Sequence, residues 1–320
     1  VHEHLLTCNL WAAVASAEHR PAVSRMAATT RALFPDIFSE IEGLADGLDL
    51  PFDDVFAWNC RGDLFAHSSD GCTTVQVPGD DIIIAHNEDG LRFFDGRCFI
   101  AEVAGFGGFT SFCYPGSIPG HTFAATRSGL VMTANNLRLT GVTPAVPRMV
   151  LGRAMLNCSG LDDVRNLLDG APASGGFHYS LAQTGQHRLI SLEFGGGGYI
   201  EKEVMRPSVH ANHAVLGHPA HQSQIITESS RDRQARGAFL VASAGQPAME
   251  ILRDTGGGGL PIWRRCANDP DRENTIASAR FFVSGSRLGW TFYAGNSKVE
   301  IYDSEKSRNR GPDDGAALCR

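Results

Sequence analysis

Two periodicities divide the chain. Up to residue 66, apolar positions recur every three to four residues. LWAAVASA, VSRMAATTRALF and IFSEIEGLADGL each gather apolar side chains on one face of a predicted helix. Asp36 and Asp53, beside prolines, read as helix N-caps. From Cys72 the period falls to two. TTVQV and IIIAH flank Pro-Gly-Asp-Asp and predict a hairpin. CFIAEVAGF, GFTSFCY, HTFAATRSG and LVMTANNL follow as short strands between Gly and Pro turns. Residues 147–169 return to helical spacing with a break at Ser159-Gly160. Residues 177–201 alternate as a strand pair around the Gly195–Gly198 turn. Residues 229–252 read as helix, and ASARFFVSG with GWTFYAGN as a final hairpin before KVEIYD. No repeat of fixed period appears. Alternating blocks of helices and strands predict an α+β layered fold, helices on packed sheets.

Composition narrows the class. The 320 residues are 42% hydrophobic and 20% charged, as in a globular protein with a substantial core. The formal net charge is −7 and no basic stripe is visible, which argues against nucleic-acid binding. No apolar run approaches the roughly 20 residues that span a bilayer, so no membrane association is expected. The opening Val-His-Glu-His lacks the basic start and apolar core of a signal peptide; it also lacks an initiator Met, so residues before Val1 are expected to be missing. Eight cysteines (8, 60, 72, 98, 113, 158, 266, 319) show no paired spacing and read as reduced thiols of a cytoplasmic protein.

The stretch Asp70-Gly71-Cys72-Thr73-Thr74 carries the chemistry. A cut between Gly71 and Cys72 would put a thiol and a free α-amine on one residue. Such an amine has a pKa of about 7.7–8.0, near the optimum for a general base at neutral pH. This is the logic of an N-terminal nucleophile hydrolase. Gly71, without a Cβ, allows the backbone geometry that exposes its carbonyl to attack. Read by itself, Cys72 is equally a buried strand cysteine.

The context is an ordered set. Asn87-Glu88-Asp89 follows the motif, then Arg127-Ser128-Gly129-Leu130 leading to Asn135-Asn136-Leu137, then Ser191-Leu192-Glu193-Phe194, Asn212-His213, Ser230 with Arg233 and Arg236, and Thr275 to Phe282. This set, running from EIEGLADGLDLPFDDVFAWN to the last strands, resembles the acyl-CoA:isopenicillin N acyltransferase family of cysteine N-terminal nucleophile hydrolases. The resemblance implies one αββα four-layer sandwich over residues 1–320. It also implies self-cleavage into chains 1–71 and 72–320 that stay associated without a disulfide. The family's acyltransferase has Trp at the position of Glu88, and a small-residue segment with an arginine where this chain has Asp271-Arg272-Glu273. Both differences bear on acyl transfer rather than on the nucleophile.

Roles follow for individual residues. Asn212 is the oxyanion-hole candidate, because a side-chain amide can donate to developing negative charge. The resemblance sets Asp89 near the nucleophile, and Arg272 would orient that carboxylate. Asn87, Glu88 and His213 are expected at the substrate, with Phe93, Phe94, Phe106 and Phe109 as candidate walls of an acyl pocket. His210, His213, His218 and His221 have neither of the familiar zinc spacings and read as a loop, not a metal site. The expected activity is hydrolysis of a small N-acyl or aminoacyl amide, with acyl transfer from a CoA thioester as the alternative. No cofactor is required. Arg92 and Arg97 are the only cations near residues 70–94 in sequence, with Arg127 or Arg138 as candidates to approach in the fold, a poor match for CoA phosphates. The run Glu88-Asp89 suits a cationic amine. A homo-oligomer is compatible with this reading.

Overall fold

The structure, a computed structural model, describes residues 2–66, 70–105, 107–243, 245–265, 269–295 and 300–303. The leader forms α1 (His2–Leu5), α2 (Asn9–Val14), α3 (Arg20–Leu33), α4 (Pro35–Leu48), α5 (Phe52–Asn59) and α6 (Arg61–Leu64). Asp36 and Asp53 are not the caps the sequence suggested. Phe34 and Pro51 hold those positions, and the two carboxylates sit two residues further in. There they favour the helix through its N-terminal partial charge instead of bonding an end amide.

The predicted hairpin forms as β1 (Asp70–Val77) and β2 (Ile82–Leu91). Then come β3 (Phe99–Val103), β4 (Phe109–Cys113), β5 (Phe123–Thr126) and β6 (Leu130–Leu137). Helices α7 (Arg148–Met155) and α8 (Leu161–Gly170) break at Ser159-Gly160 as expected. Next are β7 (Gly176–Gln183), β8 (Leu189–Gly195), β9 (Gly198–Glu203) and β10 (Ser208–His210). Helices α9 (Glu228–Ala242) and α10 (Ala248–Leu252) precede β11 (Glu273–Val283), β12 (Leu288–Ala294) and β13 (Glu300–Asp303).

Two antiparallel sheets result. One runs β10-β1-β2-β11-β12-β13 and the other β3-β4-β5-β6-β7-β8-β9. Alternation along β2 separates the layers. Ile82 and Ile84 enter the large core between the sheets, with Phe112, Phe123, Phe281, Trp290 and Phe292. Ala85 faces the other way, with Val75, Val209, Leu240, Met249 and Leu252, under α9 and α10. On the far side α8 packs on β7, and α4 on α7. The order is therefore α, β, β, α. Leader residues Ile41, Phe56 and Trp58 belong to the same large core, so the leader is part of the fold and not an appendage.

The six described cysteines are free; Cys266 and Cys319 lie outside the described residues. No helix among the described residues is long and apolar enough to cross a membrane.

Candidate active site

The β1–β2 register sets Cys72 opposite Glu88 and Gly71 opposite Asp89. Because side chains alternate across a strand, Cys72 and Thr74 point between the sheets, together with His86 and Glu88. Thr73, Asn87 and Asp89 point toward the α9–α10 layer. Cys72 is 2% exposed. Its Sγ lies 3.6 Å from Glu88 Oε2. Tyr114 donates to Glu88 Oε1 at 2.8 Å, and His86 Nε2 is 3.1 Å from Oε2.

The main chain of Cys72 is held as closely. Its N–H donates to Asn212 Oδ1 at 2.9 Å, and Arg233 Nη2 donates to the same oxygen at 2.6 Å. Arg233 Nη1 donates to the Cys72 carbonyl and, at 2.8 Å, to Thr73 Oγ1. Asn212 Nδ2 donates to the Asn136 carbonyl at 3.3 Å. Asn212 follows β10, and its N–H donates to Ser230 Oγ at 2.9 Å in the first turn of α9. Thr227 caps that turn, accepting from the Ser230 N–H at 3.2 Å. Burial pushes the Cys72 thiol well above its ordinary pKa. The Glu88 and Asp89 carboxylates push the same way, against the Asn136 N–H and Arg233. The resting sulfur is thus a thiol and needs a base.

Beside Gly71 lies a buried ionic cradle. Thr275 donates to Asp89 Oδ1 at 2.7 Å, while Arg233 and Arg264 each come 3.9 Å from Oδ2. Arg264 bonds Glu273 and Asp269, and Arg138 is 3.5 Å from Glu273 Oε1. Burial raises the Glu273 carboxyl to about 7, with Arg264 and Arg138 opposing. Burial also raises Asp89, against Arg264, Arg233 and Thr275. A Cβ at Gly71 would overlap Glu273 Oε2 and come 2.7 Å from Arg264 Nη1. Glycine is needed here for close approach.

Several expected site residues sit elsewhere. Arg272 is exposed, at a left-handed φ of 59°, and the guanidinium groups beside Asp89 belong to Arg233 and Arg264. Asn87 donates to the Leu252 carbonyl at 2.7 Å and accepts from Ser278 at 2.6 Å. It ties α10 to the sheet and faces away from Cys72, since its parity on β2 is opposite to that of Glu88. Phe94 meets Tyr114 edge-on at 4.7 Å, one ring removed from Glu88. Phe93 and Phe94 line a small cavity with His4, Leu5, Arg97 and Pro115. Phe109 is buried under Arg153; Phe106 lies outside the described residues.

The histidines do not act as a set. His213 Nδ1 bonds Ser230 Oγ at 2.8 Å, and burial, His210 and Arg233 lower its pKa to about 4. His210 and His221 approach Glu193 at 2.9 and 3.7 Å, and His218 accepts from the Ala220 N–H. Cys72 Sγ, His86 Nε2 and Glu88 Oε2 lie within 4.8 Å of one another. They stand at hydrogen-bonding distances, and we assign no metal to them. His86, Tyr114, Arg264 and Glu273 are site residues the sequence reading did not single out; of these only His86, two residues before Glu88 on the same strand face, carried a local signal.

Residues 75–298 match the family described as Acyl-coenzyme A:6-aminopenicillanic acid acyl-transferase. Over 296 residues the chain is 23% identical to the beta-alanyl-dopamine/carcinine hydrolase of Drosophila melanogaster, covering 80% of this chain and 76% of that protein. A variant of conjugated bile acid hydrolase from Clostridium perfringens aligns with a TM-score of 0.45 at 12% identity, over 73% of this chain and 93% of its own. Penicillin V acylase from Agrobacterium tumefaciens aligns with a TM-score of 0.38 at 13% identity, over 71% and 83%. The family match takes in Glu88, Asp89, Asn212, Arg233 and Arg264, and on its extent the chain belongs to the acyl-coenzyme A:6-aminopenicillanic acid acyl-transferase family.

Proposed function

We propose that the chain is a self-processing cysteine amidohydrolase. It cleaves its own Gly71–Cys72 bond, and the freed Cys72 hydrolyses small aminoacyl or N-acyl amides through a thioester on Sγ. One observation carries this reading: a single buried residue offers both its sulfur and its main-chain nitrogen to polar partners, Glu88 at 3.6 Å and Asn212 at 2.9 Å. Before cleavage that nitrogen is an amide and no base. Afterwards it is an α-amine with an ordinary pKa of about 7.7–8.0. Asn212 Oδ1 fixes it beside the sulfur, where it takes the thiol proton and later protonates the leaving amine. Asn212 Nδ2 is the donor assigned to the oxyanion. Arg233 holds both Asn212 and the Cys72 carbonyl, and Asp89 balances Arg233 and Arg264.

The substrate acyl group takes the place of Gly71 and the residues before it, against Glu273 and Arg264. Of the two carboxyl groups that flank that space, Glu273 is already paired with Arg264 and Arg138, and Glu88 is the one we assign to a cationic amine on the acyl group. The relative named for beta-alanyl-dopamine and carcinine supports the same class. The leader chain stays bound because its helices share the main core. The nucleophile requires a reducing compartment, which we take to be the cytoplasm.

The family's description supports a second outcome for the same acyl-enzyme, transfer to an amine instead of water. Intact mass and N-terminal sequencing test the processing: a new terminus Cys-Thr-Thr is expected. Rates on a β-alanyl amide, a neutral N-acyl amide and a phenylacetyl-CoA thioester test the substrate. Fastest turnover of the thioester, with an amine as acceptor, would reverse the assignment.

A further inference from the structure

Self-cleavage cannot use the base of the mature enzyme, because the nitrogen of Cys72 is then still part of the bond to be broken. We infer that Glu88 and His86 supply the missing base, taking the thiol proton of Cys72 in the first step of self-cleavage. The inference rests on the self-processing reading above.

The hydrogen-bond network fixes where the protons lie. Asn135 Nδ2 donates to the His210 carbonyl at 3.2 Å, so Asn135 Oδ1 faces Thr74. An amide oxygen only accepts. The Thr74 hydroxyl therefore donates to it, at 2.7 Å. With its one hydrogen used, Thr74 Oγ1 must accept from His86 Nδ1, 2.8 Å away. Nδ1 of His86 thus carries a hydrogen, and Nε2 turns toward Glu88 Oε2 at 3.1 Å. Exactly one proton satisfies that contact, shared between imidazole and carboxyl. Tyr114 occupies the other carboxyl oxygen, at 2.8 Å. Oε2 is left between Nε2 and the sulfur, 3.6 Å from Sγ. All of these groups are buried, so bulk water is not the proton acceptor. Burial also lowers the pKa of His86 to about 3, so the resting imidazole is neutral and Nε2 faces Oε2 as an acceptor.

The step balances as follows. Sγ attacks the Gly71 carbonyl carbon and its proton passes to Oε2, while the shared proton moves onto Nε2. The S–C bond forms and the carbonyl oxygen takes the electron pair. Collapse of this adduct breaks the Gly71–Cys72 C–N bond, and a proton returns from Glu88 to the departing nitrogen, which leaves as an amine. Water then adds to the thioester, freeing the Gly71 carboxylate and the Cys72 thiol.

The test is a pulse–chase of full-length chain made by cell-free translation, read as conversion of one band into two. Glu88→Gln, nearly isosteric but unable to relay the proton, should lengthen the half-time by about 10²-fold or more, and His86→Gln should act similarly. Tyr114→Phe keeps carboxyl and imidazole and should cost less than about tenfold. Hydroxylamine, which cleaves thioesters, should not restore Glu88→Gln. Wild-type cleavage kinetics in a Glu88→Gln chain with a native melting profile would overturn the inference. So would rescue by hydroxylamine, which would put the defect after thioester formation. If Glu88→Gln does not fold, His86→Gln decides by the same criteria. A wild-type chain that never cleaves would overturn the self-processing reading itself, a result distinct from cleavage that ignores Glu88.

Discussion

A methyl group at position 71 has no space to enter. Besides overlapping Glu273 Oε2, a Cβ there would lie 2.7 Å from Arg264 Nη1 and 3.2 Å from Glu273 Cδ. Neither neighbour yields easily: Glu273 is buried between Arg264 and Arg138, and Arg264 is held again by Asp269. Gly71→Ala must therefore open this ion pair or push β1 off β2. Overpacking of this kind costs about 1–3 kcal/mol, and a disturbed buried pair costs more. A loss on the order of 3 kcal/mol would lower Tm by on the order of 5 °C in a chain of this size. The same shift moves the scissile carbonyl away from Sγ, and a misplacement of about 1 Å slows such a reaction about 10²-fold. The melt is measured in a Cys72→Ala background, so that both proteins remain single chains, and the kinetics by pulse–chase with Cys72 intact. Gly43→Ala is the control: its Cβ would meet nothing within 4 Å on α4, and Ala is the better helix former there. An unchanged Tm together with wild-type cleavage in Gly71→Ala would refute the reasoning that Gly71 packs against Glu273 and Arg264.

Asn212→Ala should lower turnover by about 10²–10³ and slow self-cleavage, since both pass through a tetrahedral adduct; normal turnover in the folded variant would move the oxyanion donor elsewhere. Iodoacetamide should inactivate by alkylating Cys72, with protection by substrate, and chelators should leave activity intact; loss of activity on chelation with recovery on zinc would contradict the thiol mechanism. The native state holds His213 at about 4, below its unfolded value of about 6.5, so the unfolded chain binds the extra proton first. The stability difference between wild type and His213→Gln should therefore be constant above about pH 6.5 and shift against the wild type as pH falls toward 4. Taking the difference removes Glu273, whose raised pKa works in the opposite sense; a difference independent of pH would show that His213 is not held neutral.

What the sequence made legible depended on distance along the chain. The Pro-Gly-Asp-Asp turn and the alternation on either side of it were local, and they paired β1 with β2; the register was not, since a loop of residues 78–81 alone would set Cys72 opposite Asn87, whereas Val77 pairs with Ile83 and Cys72 with Glu88. Strand parity sets His86 with Glu88 on one face of β2 and Asn87 on the other, but which face meets Cys72 follows from the register. The cradle could not be read this way. Asp89 and Arg264 meet because β2 pairs with β11, nearly two hundred residues later, with the register slipping between Thr275 and Ala277. Asp271-Arg272-Glu273 are three charged residues in a row, yet Glu273 begins β11 and is buried while Arg272 stays exposed. No local pattern distinguishes these two neighbours.

The polar residues between the sheets form a continuous path, and that path explains why Asn212 stands where it does. Thr74 bonds Asn135, whose Oδ1 also meets His178 at 3.1 Å, and His178 stacks on His210 at 3.5 Å. His210 bonds Glu193 at 2.9 Å, and Glu193 accepts the Val215 and Leu216 N–H groups. Burial works to raise the Glu193 carboxyl, but the hydrogen bond from His210, the His221 ring 3.7 Å away and the Val215 N–H outweigh it and keep the group ionised. One buried carboxylate on β8 thus anchors the chain on both sides of Asn212, at His210 and at residues 215–216. Ser230 and Arg233 fix the same asparagine from α9. An unpaired polar group in this interior would be costly, so the network favours one arrangement over its alternatives. The arrangement it favours holds Asn212 Oδ1 against the nitrogen of Cys72. Rigidity at the nucleophile is in this sense supplied by residues of β6, β7, β8, the 210–216 segment and α9, none of which reacts.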